Sequence, residues 1–310
     1  MEKDALIYVA GHEGFVGSAI VRKLRCLGYR NLLLRKEAEL NLTDQAETRL
    51  FFQRGAPEYV FLCAEKVGGI LANNTYPADF IYQNIMIQTN VIDSAYRNGV
   101  KKLLFTGSSC SYPKMCLQPM KEEYLLSGYL EPTNEAYAIA KIAGIKMCQS
   151  YNRQYGTNYI VTMPANLYGV NDDFDPRDSH VIPALLRKFH KANLSKEDVV
   201  IWGTGQPKRE FLYVDDFAEA CIFLMNEYNS CEIINVGSGE DISIAELANL
   251  IKQVVGFEGS IVYDQTKPDG MPKKLLDVSK IRSLGWKAKT SLEEGTKATY
   301  DWYKESGSAQ

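Results

Sequence analysis

Glycines at residues 11, 14 and 17 constrain the fold of this 310-residue chain more than any other feature. The preceding residues 5–10 are apolar enough for a strand buried on both faces, and residues 14–28 carry apolar side chains at helical spacing. A glycine-rich turn between a strand and a helix offers the close backbone approach and the positive dipole end that hold a dinucleotide pyrophosphate. The alternative is a glycine-rich helix start that binds no ligand.

The first half of the chain repeats this alternation of strand and helix. Predicted strands span residues 32–34, 59–62, 102–105 and 159–163, and predicted helices run from Thr43 or Asp44 to about 54, from after Pro77 to about 98, and over 136–155. Such alternation indicates βαβ units and a parallel sheet. We therefore predict an α/β fold, a Rossmann-type doubly wound parallel sheet with a smaller C-terminal α/β substrate domain.

The pattern changes near residue 170. Residues 171–179 are polar and predict a loop, helices are predicted at 244–255 and 291–303, and a turn-rich break lies at 267–272. We predict an NAD(P)-binding domain over residues 1–169 plus about 204–236. The substrate-binding domain then comprises about 170–203 and 237–310.

Composition argues against several classes of protein. The net charge of −3 includes no basic excess for nucleic acid and no Lys/Arg run for a membrane surface. No apolar stretch approaches the roughly 20 residues of a membrane span, and the N-terminal residues lack a signal-peptide pattern. Seven scattered cysteines without a C-x-x-C pair, and only three histidines, predict neither a disulfide framework nor a metal site. A cytoplasmic location is expected.

Tyr137 and Lys141 stand one turn apart on a predicted helix, and Ser108 follows the strand before it. A free tyrosine has a pKa of about 10, and a neighbouring ammonium is expected to lower that pKa. The trio is predicted to protonate a carbonyl oxygen while a nicotinamide delivers hydride. The same Y-x-x-x-K spacing at residues 263/267 and 300/304 is interpreted as chance, because neither pair follows a dinucleotide loop and a serine-bearing strand end. The alternative for Tyr137 is an exposed aromatic–cation pair.

These residues resemble the extended short-chain dehydrogenase/reductase family. Within that family, the sequence is similar over essentially the whole chain to the enzymes that convert GDP-4-keto-6-deoxy-mannose into GDP-L-fucose. The similar segments are residues 67–79, 107–110, 131–134, 137–146, 166–169, 179–183, 202–205, 209–211 and 267–270. The resemblance implies epimerisation at C3 and C5 followed by NADPH-dependent reduction of the C4 ketone, in a homodimer formed through the helices near 77–98 and 136–155.

The resemblance also implies the roles of individual residues. It assigns the epimerising acid/base pair to Cys110 and His180, where a small buried cysteine and a loop-anchoring histidine are the simpler interpretations. It implies that the substrate is bound by Lys188, Trp202, Arg209 and Asp269. The implied cofactor-binding residues are Gly11, Gly14, Phe15, Val16, Gly17, Arg35, Asn41, Leu42, Ser108, Lys141, Pro164, Asn166, Leu167 and His180.

Several positions depart from the family pattern. Glutamate stands at Glu13 and Glu37 in place of basic residues, and Glu65 replaces a small residue. Ser111 replaces an apolar residue, Ala165 replaces threonine, and Lys188 replaces arginine.

The choice of coenzyme depends on charges near the second strand. Arg35 and Lys36 favour the 2′-phosphate of NADP, whereas Glu13 and Glu37 oppose it. Like charges about 4 Å apart cost about 4 kcal/mol at an effective dielectric of 20, and a glutamate turned into solvent escapes most of that cost. NADP(H) is expected, with NAD(H) as the alternative.

Three functions remain in view. The first is the bifunctional epimerase-reductase, which retention of Cys110 and His180 favours. The second is a C4-reductase of a related GDP-4-keto sugar, such as a heptose, for which Ser111 and Ala165 leave room. The third is a non-catalytic dinucleotide-binding protein, against which the reducing trio argues.

Overall fold

Short strands and longer helices alternate along the chain as the sequence predicted. The computed structural model describes residues 1–175, 179–267 and 269–306, and every side chain among them except that of Ile70. Its strands are β1 (Ile7–Ala10), β2 (Leu32–Leu33), β3 (Tyr59–Leu62), β4 (Lys102–Thr106), β5 (Tyr159–Pro164), β6 (Asn166–Tyr168), β7 (Val199–Trp202), β8 (Lys208–Tyr213), β9 (Ile234–Val236), β10 (Asp241–Ser243), β11 (Ile261–Asp264) and β12 (Lys273–Lys274). Its helices are α1 (Phe15–Cys26), α2 (Gln45–Gly55), α3 (Ile70–Thr75), α4 (Pro77–Arg97), α5 (Glu135–Tyr155), α6 (Val181–Ser195), α7 (Val214–Glu227), α8 (Ile244–Val255), α9 (Ser279–Ser283) and α10 (Leu292–Glu305).

The larger sheet is the parallel sheet that the alternation predicted. Its strands lie in the order β2-β1-β3-β4-β5-β9, and every neighbouring pair is parallel. All residues of β1, β3, β4 and β5 are buried, because helices cover both faces of such a sheet. One group of helices packs α1 against α7, and another packs α4 against α2 and α5. The Rossmann-type fold class is therefore confirmed.

The strand order creates a crevice beside β1. The chain moves outward from β1 to β2 and then returns to place β3 on the other side of β1. The loops after β1 and β3 therefore leave the sheet next to each other at its carboxyl edge, where open α/β sheets bind ligands. Gly11 and Ala64 meet at this point, and a Cβ added to Gly11 would lie 2.8 Å from the backbone of Ala64.

Local capping explains where several helices begin and end. Asp44 caps α2, because its carboxylate accepts a hydrogen bond from the Glu47 backbone N–H at 2.9 Å, which decides between the two predicted caps. Pro77 opens α4, and Gly156 ends α5 with a φ of +67°. Helix α3 was not predicted, because six residues are too few for a helical period to be recognised.

The shorter elements of the second half form another layered unit. Strand β8 pairs with β6, β10 and β12, and β7 pairs with β11. Helices α6, α8 and α10 bury a second hydrophobic core there that includes Leu186, Phe189 and Leu247. Within residues 204–236, α7 and β9 pack with the larger sheet, whereas β8 belongs to the second unit. Residues 176–178 of the predicted loop and Pro268 of the predicted turn lie outside the described residues.

Candidate active site

The glycine-rich loop joins β1 to α1 and exposes the start of that helix. Gly11 has a φ of +77°, a left-handed conformation that favours glycine. A Cβ on Gly17 would overlap the backbone of Gly11, so glycine is needed for α1 to approach the loop this closely. Gly14 precedes α1 without a side-chain cap, so no side chain competes with an anion for the first N–H groups of the helix.

A cleft of about 460 Å³ opens beside this loop, among the segments that follow β1, β2 and β3. Its lining includes five of the predicted cofactor-binding residues, which are Gly11, Gly14, Arg35, Asn41 and Leu42. Two others, Phe15 and Val16, pack partly against the core at the start of α1. Phe15 and Val16 do not line the cleft, and neither do the remaining predicted residues, which are Gly17, Ser108, Lys141, Pro164, Asn166, Leu167 and His180.

The charges at the rim of the cleft partly neutralise one another. The Lys36 ammonium pairs with the Glu13 carboxylate at 3.1 Å, and both side chains are more than half exposed. Arg35 donates to the adjacent Leu34 carbonyl at 2.8 Å, and Glu37 lines the cleft. Such an exposed ion pair contributes about 0–1 kcal/mol, so Lys36 can exchange Glu13 for another anion at small cost.

The predicted reducing trio is assembled at the carboxyl end of β4. Tyr137 and Lys141 are both buried on α5, and the Lys141 ammonium donates to the Thr106 carbonyl at 2.7 Å. Ser108 caps a short 3₁₀ turn and accepts a hydrogen bond from the Cys110 N–H at 3.1 Å. Its hydroxyl also lies within hydrogen-bonding reach of the Tyr137 hydroxyl. The structure therefore brings these three side chains together, and the alternative of an exposed pair is wrong.

One expectation about the trio is corrected. The Glu65 carboxylate accepts a hydrogen bond from the Tyr137 hydroxyl at 2.9 Å and pairs with the Lys141 ammonium at 2.5 Å. Burial and this carboxylate hold the pKa of Tyr137 well above its ordinary value, contrary to the predicted lowering by Lys141. Desolvation of the buried phenol is the larger cause, and the adjacent Glu65 carboxylate adds to it.

One cation, Lys274, acts on both Cys110 and His180. The Lys274 ammonium donates to Cys110 Sγ at 3.5 Å. Desolvation lowers the pKa of His180 below its ordinary value; Glu65 opposes this shift and Lys274 adds to it. Cys110 also packs beside Tyr137 and Phe80. The two candidate proton-exchange groups therefore adjoin the reducing trio.

The predicted substrate residues gather around β7 and the segment 269–271. The Asp269 carboxylate accepts hydrogen bonds from the Thr204 N–H at 2.9 Å and from the Thr204 hydroxyl at 2.7 Å. Arg209 donates to the Met271 carbonyl at 2.6 Å. Trp202 is 68% exposed at the end of β7, and the Lys267 ammonium lies 5.7 Å from the centroid of its ring.

Two cations in this region have no acidic partner among the described residues. Lys188 donates to the Val200 carbonyl at 2.7 Å, and Arg209 donates to the backbone carbonyls of Lys208 and Met271. Desolvation lowers the pKa of each, because partial burial disfavours the charged form. Desolvated cations without carboxylate partners suit an anionic ligand such as a diphosphate.

Asn166 is a structural link between the two units. Its side-chain amide donates to the Glu210 carbonyl at 2.9 Å, and β6, which also contains Leu167, pairs with β8. Pro164 ends β5 directly before this point. Sequence analysis did not identify Glu65 and Lys274 as members of the site. Glu65 was noted only because it replaces a small residue of the family pattern, and no sequence pattern distinguished Lys274.

No described helix combines the length and apolar character that a membrane crossing requires.

Comparison with known proteins defines the class. A family model described as the NAD dependent epimerase/dehydratase family matches residues 7–237. The chain belongs to this family. It is 61% identical to GDP-L-fucose synthase 1 of Arabidopsis thaliana over 97% of this chain and 94% of the relative. It is 55% identical to GDP-L-fucose synthase of Escherichia coli strain K12, over 96% of each chain. Among solved structures, GDP-mannoheptose C4 reductase from Campylobacter jejuni with NADP bound is 44% identical, with a TM-score of 0.90 over 98% of this chain and 99% of the other.

Proposed function

We propose that this protein converts GDP-4-keto-6-deoxy-mannose into GDP-L-fucose, by epimerisation at C3 and C5 and NADPH-dependent reduction at C4. The observation that carries the proposal is the proximity of Cys110 to Tyr137, beside which Lys274 and His180 complete a second constellation. One bound ketone can therefore reach both a proton-exchanging thiol and a reducing acid. The similarity to two GDP-L-fucose synthases supports the same substrate.

The cleft beside β1 fits a dinucleotide. Gly11 allows the phosphates to approach the backbone, and the uncapped N-terminus of α1 supplies N–H groups to them. Asn41 and Leu42 would contact the adenosine half, and Arg35 with Lys36 would bind a 2′-phosphate, which favours NADP(H) over NAD(H). When bound, the reduced nicotinamide supplies a hydride to C4 of the sugar.

Epimerisation begins with the acidity of the C–H bonds next to the ketone. Cys110 and His180 are the pair that removes a proton at C3 or C5 and returns one on the opposite face. The lowered pKa of His180 keeps the imidazole neutral at pH 7, so it is ready to accept a proton. The epimerisations precede reduction, because the ketone must persist for these protons to be acidic.

Reduction ends with a proton transfer from Tyr137. As hydride reaches C4, an O–H bond forms at the former ketone oxygen, and the O–H bond of Tyr137 breaks. Ser108 donates a hydrogen bond to the same oxygen, and solvent returns a proton to the phenolate afterwards. Lys141 and Glu65 hold the tyrosine in place.

The GDP part is held by the second unit. Lys188 and Arg209 bind the diphosphate, and Trp202 stacks on a flat or sugar surface. Asp269 shapes the turn at Thr204 that borders this region. We assign this role to the second unit, which comprises the segments near 170–203 and 237–310 together with the Thr204 turn and β8. We assign the dinucleotide role to residues 1–169 with α7 and β9 of the segment 204–236. A homodimer through α4 and α5 agrees with the exposed apolar side chains of Tyr82 and Ile139.

A C4-reductase without epimerisation is the second candidate. The observation that favours it is the similarity to the Campylobacter jejuni C4 reductase along nearly the whole of both chains. Cys110 and His180 have no task in that reaction beyond substrate contact.

A direct assay separates the two candidates. The purified protein is mixed with GDP-4-keto-6-deoxy-mannose in D₂O, with NADPH or NADH, and the product is examined by NMR. We expect NADPH oxidation and GDP-L-fucose labelled at C3 and C5. Reduction without label or inversion would favour the second candidate, and failure to oxidise either coenzyme would refute the first.

A further inference from the structure

Glu65 joins the two groups of the reducing centre through one oxygen atom. Its Oε2 accepts a hydrogen bond from the Tyr137 hydroxyl at 2.9 Å and pairs with the Lys141 ammonium at 2.5 Å. The side chains of Glu65 and Lys141 are 16% and 3% exposed, so bulk solvent screens the interaction only weakly. The carboxylate therefore controls how much positive charge the phenol experiences.

The loop that carries Glu65 is fixed on both sides. Buried Asn84 of α4 accepts a hydrogen bond from the Lys66 N–H at 3.0 Å and donates to the Lys66 carbonyl at 2.9 Å. On the other side, the Thr106 hydroxyl contacts Cys63 Sγ at 3.6 Å. These contacts hold Glu65 in register with α5, as expected of a preorganised site.

The groups that face Tyr137 come from several elements. Glu65 follows β3, Lys141 lies on α5, and Ser108 and Cys110 follow β4, with Lys274 of β12 in contact with Cys110. Phe80 of α4 and Ala72 of α3 close the apolar side. Lys66 lies over the Phe80 ring at 5.6 Å. Lys141, which lies one helical turn after Tyr137, already donates to Glu65 and to the Thr106 carbonyl.

We propose that Glu65 is a positioning residue of the reducing centre: its carboxylate neutralises Lys141 and keeps the proton on Tyr137, so that up to alkaline pH the centre holds the form that protonates a ketone rather than the form that deprotonates an alcohol. Ketone reduction requires Tyr137 to start with its proton, whereas alcohol oxidation requires the phenolate. A phenolate next to Glu65 would place two negative charges in contact, which is unfavourable in a buried site. The directional part of this inference rests on the proposed function.

The first test needs neither substrate nor coenzyme. Tyrosinate absorbance near 295 nm is followed from neutral to alkaline pH for the wild type and for Glu65→Gln and Glu65→Ala. Each protein is compared with its counterpart carrying Tyr137→Phe, so that the difference reports Tyr137. We expect the midpoint of Tyr137 ionisation to lie about one pH unit lower in both variants, because no carboxylate then neutralises the Lys141 ammonium beside the phenol. Glu65→Asp, which keeps the charge, should stay closer to the wild type.

The second test follows catalysis in both directions. The alkaline decline of ketone reduction should move to lower pH by a similar amount in Glu65→Gln. The alkaline rise of the reverse oxidation, which requires the phenolate, should move to lower pH by the same amount. Glu58→Gln is the matched control, because Glu58 forms an exposed ion pair with Lys101 at 2.6 Å away from the site. It should change neither profile.

Identical Tyr137 titrations in the wild type and in Glu65→Gln would overturn the proposal, whatever the enzyme's substrate. Unchanged pH midpoints of reduction and oxidation in Glu65→Gln would overturn its directional part. If no protein reduces the ketone, the proposed function fails, while the absorbance titration still decides the role of Glu65.

Discussion

The ammonium of Lys274 donates a hydrogen bond to Cys110 Sγ across 3.5 Å. Lys274 ends β12 in the second unit, whereas Cys110 follows β4 of the larger sheet. Packing of the two units therefore completes the proposed epimerisation site, and the cation acts on both of its groups because it also lowers the pKa of His180.

Replacing Lys274 should impair epimerisation more than reduction. We expect Lys274→Gln to slow deuterium incorporation at C3 and C5 on the order of ten-fold at pH 7, because the ammonium stabilises negative charge on the sulphur. Removing the cation also raises the pKa of His180, so the acid limb of the exchange profile should move to higher pH. NMR of the product in D₂O measures both effects.

Two variants control this experiment. Lys274→Arg keeps the charge and should restore most of the exchange. Lys273→Gln removes the neighbouring ammonium, which pairs with Asp241 at 2.7 Å instead of Cys110, and should leave exchange near the wild-type rate. Equal exchange rates in Lys274→Gln and the wild type would contradict the role assigned to this cation.

The Glu13–Lys36 ion pair predicts how coenzyme preference can be changed. Glu13→Gln frees Lys36 and removes a negative charge from the rim of the cleft, so NADPH should bind several-fold more tightly, consistent with the small worth of an exposed pair. NADH, which lacks the 2′-phosphate, should bind almost unchanged. Fluorescence titration with each coenzyme measures the two dissociation constants. Equal changes for NADPH and NADH would show that Lys36 does not meet the 2′-phosphate.

Replacing Glu210, which lies outside the predicted catalytic trio, should lower the stability of the fold. Its two carboxylate oxygens accept hydrogen bonds from the Gly239 N–H at 2.7 Å and from the Leu276 N–H at 2.8 Å, and the residue is buried. Glu210→Gln offers one acceptor and turns an NH₂ group toward the other donor, so the free energy of unfolding should fall by about 1–3 kcal/mol. Denaturant unfolding measures this loss, and exposed Glu240→Gln should show none.

Glu210 also predicts a pH dependence of stability. Burial raises its pKa from 4.5 to about 6, so the native state binds this proton more tightly than the unfolded chain does. Its contribution therefore favours the native state below pH 4.5 and is lost as pH rises through about 6. The difference in unfolding free energy between Glu210→Gln and the wild type should narrow over this window. A pH-independent difference would contradict this assignment.

Two glycines with positive φ should respond differently to alanine. Gly11 and Gly28 have φ values of +77° and +85°, so alanine costs about 1–2 kcal/mol of backbone strain at either position. At Gly11 a Cβ would also collide with the Ala64 backbone, whereas nothing lies within 4 Å at Gly28. Gly11→Ala should therefore lower the melting temperature more and weaken NADPH binding. Equal melting temperatures for the two variants would contradict this packing argument.

Much of the framework could be predicted because its causes are local. The spacing of apolar residues predicted β1, α1 and the alternation that follows, and glycines at 11, 14 and 17 predicted the tight turn between β1 and α1. Tyr137 and Lys141 were predicted to share a face because four residues make about one turn of α5. Helix α3 escaped prediction because its six residues are too short to display a period.

The charges that act on the site were decided by tertiary structure alone. Glu65 and Tyr137 are 72 residues apart in the chain, and Cys110 and Lys274 are 164 apart. The sequence predicted that Lys141 would lower the pKa of Tyr137, and this was wrong because burial of the phenol and the adjacent Glu65 carboxylate raise that pKa. The sequence by itself determined which groups could do chemistry, since residue type and helical spacing are local properties. Their protonation depends on burial and on distances of a few ångströms between charged groups. These distances are set only when the loops after β3 and β4 pack against strand β12.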